Sequence, residues 1–201
     1  MPLPVNVSRL RSQGTRRKLP LATTANLRIA QIADSASFDS VKLFQPRQWI
    51  DIEQYRPRVL VGVAADLRNL AEHVQSGLIE LSSVDHAVFI LTTCGQAPLT
   101  DVLRVVLWQT FGVPVYELFM AIPGILAASE CETHDGWHVE PGTTFWVATD
   151  ELLFDGFGRK GIRTGLTASL ETKPCPCGRA GMRLMNIALC AQSAHHLAAT
   201  A

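Results

Sequence analysis

Between residues 58 and 119 short runs of consecutive apolar residues alternate with amphipathic stretches, and this alternation narrows the possible folds most. The run Arg58-Val59-Leu60-Val61-Gly62-Val63 has the β-branched, unbroken character of a strand buried on both faces. It is followed by Leu67, Leu70, Ala71 and Val74, spaced to share one helical face, which predicts a helix over 66–75 closed by Gly77. A second buried strand is expected over 87–92. A second helix is expected over 99–111, with Thr100 or Pro98 near its start and Gly112 at its end. A third strand is expected over 113–119. The sum is β-α-β-α-β with short connections, and such runs pair in parallel through right-handed crossovers. The expected class is therefore α/β, a partial doubly wound, mostly parallel sheet.

In such sheets ligands sit at the carboxyl ends of the strands. Here those ends are Ala64-Ala65, the turn Cys94-Gly95-Gln96-Ala97-Pro98, and Phe119-Met120-Ala121. Trp108, inside the second helix, reads as core.

The chain on either side reads differently. Residues 1–33 contain no acidic residue but carry Arg9, Arg11, Arg16, Arg17, Lys18 and Arg28. Residues 1–26 read as a basic, disordered lead-in, and the α/β part as 27–121. From 122 to 185 glycines recur between short β patterns, which predicts a β-rich, loop-rich lobe. Such a lobe has little core, and a structural metal helps most there. Residues 186–201 form an Ala-rich tail, expected to be helical or frayed.

Of the 201 residues 47% are hydrophobic and 18% charged, and the formal net charge is zero. A chain this apolar can bury a core, and nothing in the overall charge calls for a nucleic acid or an anionic membrane. No run approaches the length of a membrane span, and no secretory signal is evident. The chain reads as cytoplasmic. Five cysteines, an odd number, argue against a disulfide framework and leave metal binding open. Cys131, Cys175 and Cys177 with one histidine form a Cys₃His set, a common tetrahedral zinc shell. Either His134 or His138 can complete it, since the Asp135-Gly136 turn can aim either inward. Cys94 as a nucleophile lacks an evident base, and Cys190 with His195 and His196 is a weak second metal candidate.

Four ordered segments resemble the phenylacetate-CoA ligase-like branch of the adenylate-forming enzymes. The stretch from Arg56-Pro57 through Glu72 is similar to the family's RPxxLVGxPxxLxxLAE. The turn at residues 93–99 is similar to its adenine-bordering GExL/P turn. Phe111-Gly112-Val113-Pro114-Val115-Tyr116-Glu117-Leu118-Phe119 resembles FGxPVYDxYG, and Glu130-Cys131 with Asp135-Gly136-Trp137-His138 resembles EC…DGxH. Arg163-Thr164-Gly165 and Pro174-Cys175-Pro176-Cys177-Gly178-Arg179 resemble RTGD…CPCGR. The resemblance covers roughly residues 55–185. It implies a structural Zn²⁺ on Cys131, His138, Cys175 and Cys177, and a nucleotide pocket bordered by Gly95, Gln96, Ala97, Pro98, Glu117 and Phe119, with Tyr116 and Phe119 packing or lining what remains of it.

The departures from the family are equally specific. Its phosphate-holding Thr is Ile122 here, its magnesium-holding Glu is Pro123, a Gly at the nucleotide is Met120, and its ribose-binding Asp is Leu166. Neither its Ser/Thr/Gly-rich phosphate loop nor its catalytic Lys has a counterpart. These losses speak against ATP or AMP binding and imply a catalytically degenerate, zinc-stabilised binding or accessory module. Two other readings stand beside it: one half of a split acyl-CoA or aryl-CoA ligase that needs a partner subunit, and a zinc-ribbon-like nucleic-acid binder using the basic arm. An exposed sheet edge would also suit a homodimer.

Overall fold

A computed structural model describes residues 27–191 apart from 35–37 and 39. The expectations for residues 1–26 and for His195 and His196 lie outside the described residues. The chain begins with β1 (Ile29–Ile32), β2 (Lys42–Phe44), α1 (Trp49–Tyr55), β3 (Val59–Gly62), α2 (Ala64–Gln75), β4 (Ala87–Thr93), α3 (Asp101–Phe111) and β5 (Val115–Ile122). It continues with β6 (Ile125–Glu130), β7 (Trp137–Val139), β8 (Thr143–Ala148), β9 (Glu151–Gly156), β10 (Arg159–Arg163), β11 (Leu166–Glu171) and β12 (Arg183–Leu189).

Nine strands form one sheet in the order β11-β12-β7-β6-β5-β4-β3-β1-β2. It is parallel from β2 to β5 and antiparallel from β5 to β11. The expected β-α-β-α-β segment is present as β3-α2-β4-α3-β5. Its helices end as the residues dictate. The Thr100 side chain caps α3 by accepting from Leu103 N at 3.3 Å, and Gly112, at φ 68°, takes the left-handed turn that ends it.

Strand alternation divides the core. Ala30, Ile32, Leu60, Val88, Ile90 and Val115 face all three described helices, while Ile29, Val59, Val61, Phe89, Leu91, Tyr116 and Leu118 face the other side. The helices lie together because β2→β3, β3→β4 and β4→β5 all advance in the same direction across the sheet. Right-handed crossovers then fall on one face. Only β1→β2 runs backward, and Phe38 and Val41 from that connection pack on the opposite face. The described helices therefore cover one face, not the two of a doubly wound sheet.

Beyond β5 the chain is β-rich, as expected. β6, β7, β12 and β11 extend the main sheet, and β8, β9 and β10 form a second, three-stranded antiparallel sheet. Phe145, Leu152 and Phe154 of that small sheet bury against Phe119, Trp137, Leu166 and Leu184. Two expectations are corrected. Residues 186–189 are not a helical tail but the end of β12, because Ala188 and Leu189 pair with Thr167 and Leu166. Trp108 is not core but 57% exposed, since α3 buries Leu103, Leu107 and Phe111, and Trp108 lies off that stripe. Among the described residues no helix is long and apolar enough to cross a membrane.

Candidate metal centre

Cys131 follows β6 directly and opens a turn that His134 N closes by donating to Cys131 O at 3.0 Å. His138 stands in β7, paired with Ser129 on one side and Arg183 on the other. Cys175 and Cys177 come from the connection between β11 and β12, where Gly178 N donates to Cys175 O at 2.9 Å and Gly178 adopts φ 79°. The sheet order β6-β7-β12 brings these three pieces of chain together. One ligand atom from each of Cys131, His138, Cys175 and Cys177 lies within 4.8 Å of all the others.

The spacing fits a tetrahedral ion. With Zn–S near 2.3 Å and Zn–N near 2.0 Å, a regular tetrahedron has edges of about 3.8 Å between sulfurs and about 3.5 Å between sulfur and nitrogen. Cys131 Sγ to Cys175 Sγ is 3.7 Å, and Cys177 Sγ to His138 Nε2 is 3.5 Å. His138 Nδ1 is buried without a hydrogen-bond partner among the described residues. Nε2 is the nitrogen that faces the sulfurs, through its contact with Cys177.

The electrostatics suit a cation. Burial, with the charges of Arg179 and Arg183, holds His138 below its ordinary pKa and so keeps it neutral, the form that binds metals. Burial opposes ionisation of Cys175. Hydrogen bonds from Thr133, Cys177 and Cys131 outweigh that and bring it down to about 7. Cys177 is pushed up to about 11 by burial and by the neighbouring sulfurs, against a lowering bond from Arg179 N. A divalent ion removes this conflict by stabilising all three thiolates.

The two histidine candidates separate cleanly. His134 points away from the sulfurs: its ring stacks on Tyr116 at 5.3 Å, and Nδ1 lies 3.2 Å from Glu130 and 3.1 Å from Arg104. Sequence reasoning overlooked the residues that frame the site. Arg179 donates to Ser129 at 3.0 Å and to Glu140 at 2.8 Å, tying the Cys175–Cys177 turn to β6 and to the end of β7. Buried Arg183 joins Asp135 and the Lys173 carbonyl. Its only sequence signal was a basic residue in a strand otherwise apolar on that side.

The expected nucleotide positions lie elsewhere: Gly95, Gln96, Ala97 and Pro98 follow the carboxyl end of β4, and Glu117 and Phe119 stand within β5. Gly95 N donates to Thr164 O at 2.8 Å, Gln96 folds back on Thr93 N at 3.0 Å, and Gln96 and Ala97 are exposed beside half-buried Pro98. Glu117 is 2% exposed, and its carboxylate accepts from Thr92 Oγ1 and from Leu99 N at 2.8 Å. Burial, only partly offset by those bonds, raises its pKa to about 7. Phe119 is fully buried and stacked on Trp137, so neither ring face is open to a ligand. Tyr116 packs between Phe89 and His134. Leu166 is fully buried and Pro123 is exposed. Cys94 donates to the Ala121 carbonyl at 3.3 Å and burial raises its pKa, the opposite of an activated thiolate.

No protein-family model matches the sequence, and no curated protein matches it. Solved structures do match the fold. A 2-hydroxyisobutyryl-CoA ligase in complex with 2-HIB-AMP and CoA superposes with a TM-score of 0.64 at 14% identity, over 80% of this chain and 43% of the ligase. An anthranilate CoA ligase in complex with anthranoyl-AMP gives 0.55 at 10% identity, over 72% and 37%. A long-chain-fatty-acid-CoA ligase from Archaeoglobus fulgidus gives 0.55 at 11% identity, over 86% and 45%. The chain spans less than half the length of these ligases. Over that span it shares the fold of AMP-forming acyl- and aryl-CoA ligases.

Proposed function

We propose that the chain is a zinc-stapled module of the adenylate-forming fold, of the phenylacetate-CoA ligase-like branch, which does not itself make acyl-adenylates. One contrast carries this reading. Four metal ligands converge across three chain segments, while the positions at which the resemblance puts ATP-handling groups hold Ile122, Pro123 and Leu166.

Acyl-adenylate formation concentrates negative charge on a transferring phosphoryl group, which needs a metal ion, cationic side chains and backbone donors. Ile, Pro and Leu side chains supply none of these. Loss of one such donor costs on the order of 10²–10³ in rate. The zinc, by contrast, would be structural: four protein ligands leave no open position for chemistry. Its role would be to hold the 131–138 and 175–177 segments together at the antiparallel end of the sheet. The module would then act by binding, as an accessory to a genuine ligase or as a homodimer. A pyrophosphate-release assay with ATP, Mg²⁺ and a panel of aryl and acyl acids is expected to show no turnover; clear turnover overturns the reading.

A second reading, one half of a split acyl-CoA or aryl-CoA ligase, is favoured by the turn at Gly95–Leu99. Glu117 holds that turn from beneath through Leu99 N, a support that a discarded site would not need. Restored turnover with a co-purifying partner that carries a Ser/Thr/Gly-rich phosphate loop and a catalytic Lys would establish it.

A further inference from the structure

The candidate metal shell has a close polar neighbour that is not itself one of the four ligands, Thr133. Thr133 Oγ1 lies 3.1 Å from Cys131 Sγ and 3.3 Å from Cys175 Sγ, over the edge between two sulfurs that are themselves 3.7 Å apart. The turn produces this placement. Its closing bond from His134 N to Cys131 O, with His134 at φ 51°, folds residue 133 back over the cluster.

We infer that Thr133 is a positioning residue of the metal centre, its hydroxyl donating to the Cys131–Cys175 thiolate edge and setting how tightly and how stably the ion is held. This rests on the zinc reading above. Three thiolates and one neutral imidazole around Zn²⁺ carry a net charge of −1, and that excess resides on sulfur. Each sulfur is steadied by a donor that draws off part of it. Cys177 has the Arg179 backbone N–H at 3.4 Å. Cys175 has the Cys177 backbone N–H, and the side-chain donor that Cys131 and Cys175 share beyond the cysteines themselves, among the described residues, is the Thr133 hydroxyl. A hydroxyl suits the place because it can accept from a thiol before the metal binds and donate to a thiolate afterwards. Thr133 is exposed as a residue while the sulfurs beneath it are buried. Its side chain therefore also shields that edge from solvent-borne electrophiles.

The test uses the full chain loaded with Co²⁺ or Zn²⁺ and compares Thr133→Val, which keeps the shape and loses the hydroxyl, with Thr133→Ser, which keeps the hydroxyl. Removing such a supporting partner costs about 10- to 100-fold in metal affinity. Thr133→Val should lose at least about tenfold in zinc affinity by chelator competition. It should also shift the sulfur-to-cobalt charge-transfer band to lower energy, because less hydrogen-bonded thiolates give up electrons more readily, and it should be alkylated faster. Thr133→Ser should restore all three. If the native chain binds either ion and the Val variant matches it in affinity and band position, the inference is wrong. If the native chain binds neither ion, the zinc reading itself fails.

Discussion

The guanidinium of Arg104, on α3, holds both carboxylate oxygens of Glu130, at the end of β6, at 2.8 and 3.0 Å. The same carboxylate accepts from the backbone N–H of Glu117 at 2.9 Å, and Glu130 immediately precedes the candidate metal ligand Cys131. Helix, central strand and the turn that opens at Cys131 therefore meet on one buried carboxylate. Removing one member of a buried pair leaves the other charged and unpaired, a loss of about 3–5 kcal/mol. Arg104→Met should cost about 3 kcal/mol in urea unfolding. Adding Glu130→Gln should recover part of it. An unchanged midpoint in Arg104→Met would show the pair to be dispensable.

Glu117 makes stability depend on pH in an unusual direction for a carboxylate. Its pKa in the fold, about 7, stands above the ordinary 4.5, chiefly through burial. Between those values the folded chain binds more protons than the unfolded chain, so stability falls as pH rises. The full effect is about 3 kcal/mol, present below pH 4.5 and lost by the time pH passes 7. Glu117→Gln keeps an acceptor for Leu99 N but cannot ionise. Its unfolding free energy should lack this decline between pH 5 and about 7.5. Parallel pH profiles for the two proteins would refute the assignment.

Gly136 should not tolerate a side chain. It adopts φ 79°, and an added Cβ would run into Met185 Sδ and sit 2.5 Å from Leu184 O. Both are on β12, beside the strand that carries His138. Gly136→Ala should lose about 2–4 kcal/mol through strain and overpacking. Its metal affinity should fall with it, read by denaturant titration and chelator competition.

Placing an aspartate at 166, where the resembled ligases carry one, should damage the protein and give it no activity. Leu166 is fully buried among Phe154, Leu152 and Leu184. An aspartate there would have to ionise in apolar surroundings or stay protonated, either of which is costly. Leu166→Asp should lower stability by about 3 kcal/mol or more and give no pyrophosphate release. A well-folded variant with turnover would contradict both this and the proposed function.

Protein purified without a His-tag should carry about one equivalent of zinc, and Cys175→Ser should abolish it. A shell of this kind contributes several kcal/mol or more to folding. Chelation should lower the melting temperature by roughly 10 °C or more. Less than half an equivalent, with every thiol titratable, would remove the metal from the account.

Local pattern carried the central fold. The runs at 59–62 and 87–93 and the apolar stripe Leu67, Leu70, Ala71 are legible because helix and strand periods are properties of neighbouring residues. The short α1 and β2 were overlooked: seven and three residues are too few to display a period. The Cys₃His set was legible in kind, because thiolate-rich shells need only residue types.

What residue types and spacing could not disclose by themselves was who meets whom. They left His134 and His138 open and the resemblance implied His138; the physical reason for His138 is register. β7 pairs His138 between Ser129 and Arg183, facing the sulfurs, while His134 lies in the preceding turn and is drawn off to Tyr116, Glu130 and Arg104. The burial of Phe119, the exposure of Trp108 and the seat of Thr133 over two sulfurs were settled in the same way. Residue types and spacings state which chemistry a chain can offer; contacts between residues some forty positions apart depend on strand order, and strand order is set by packing the whole sheet at once.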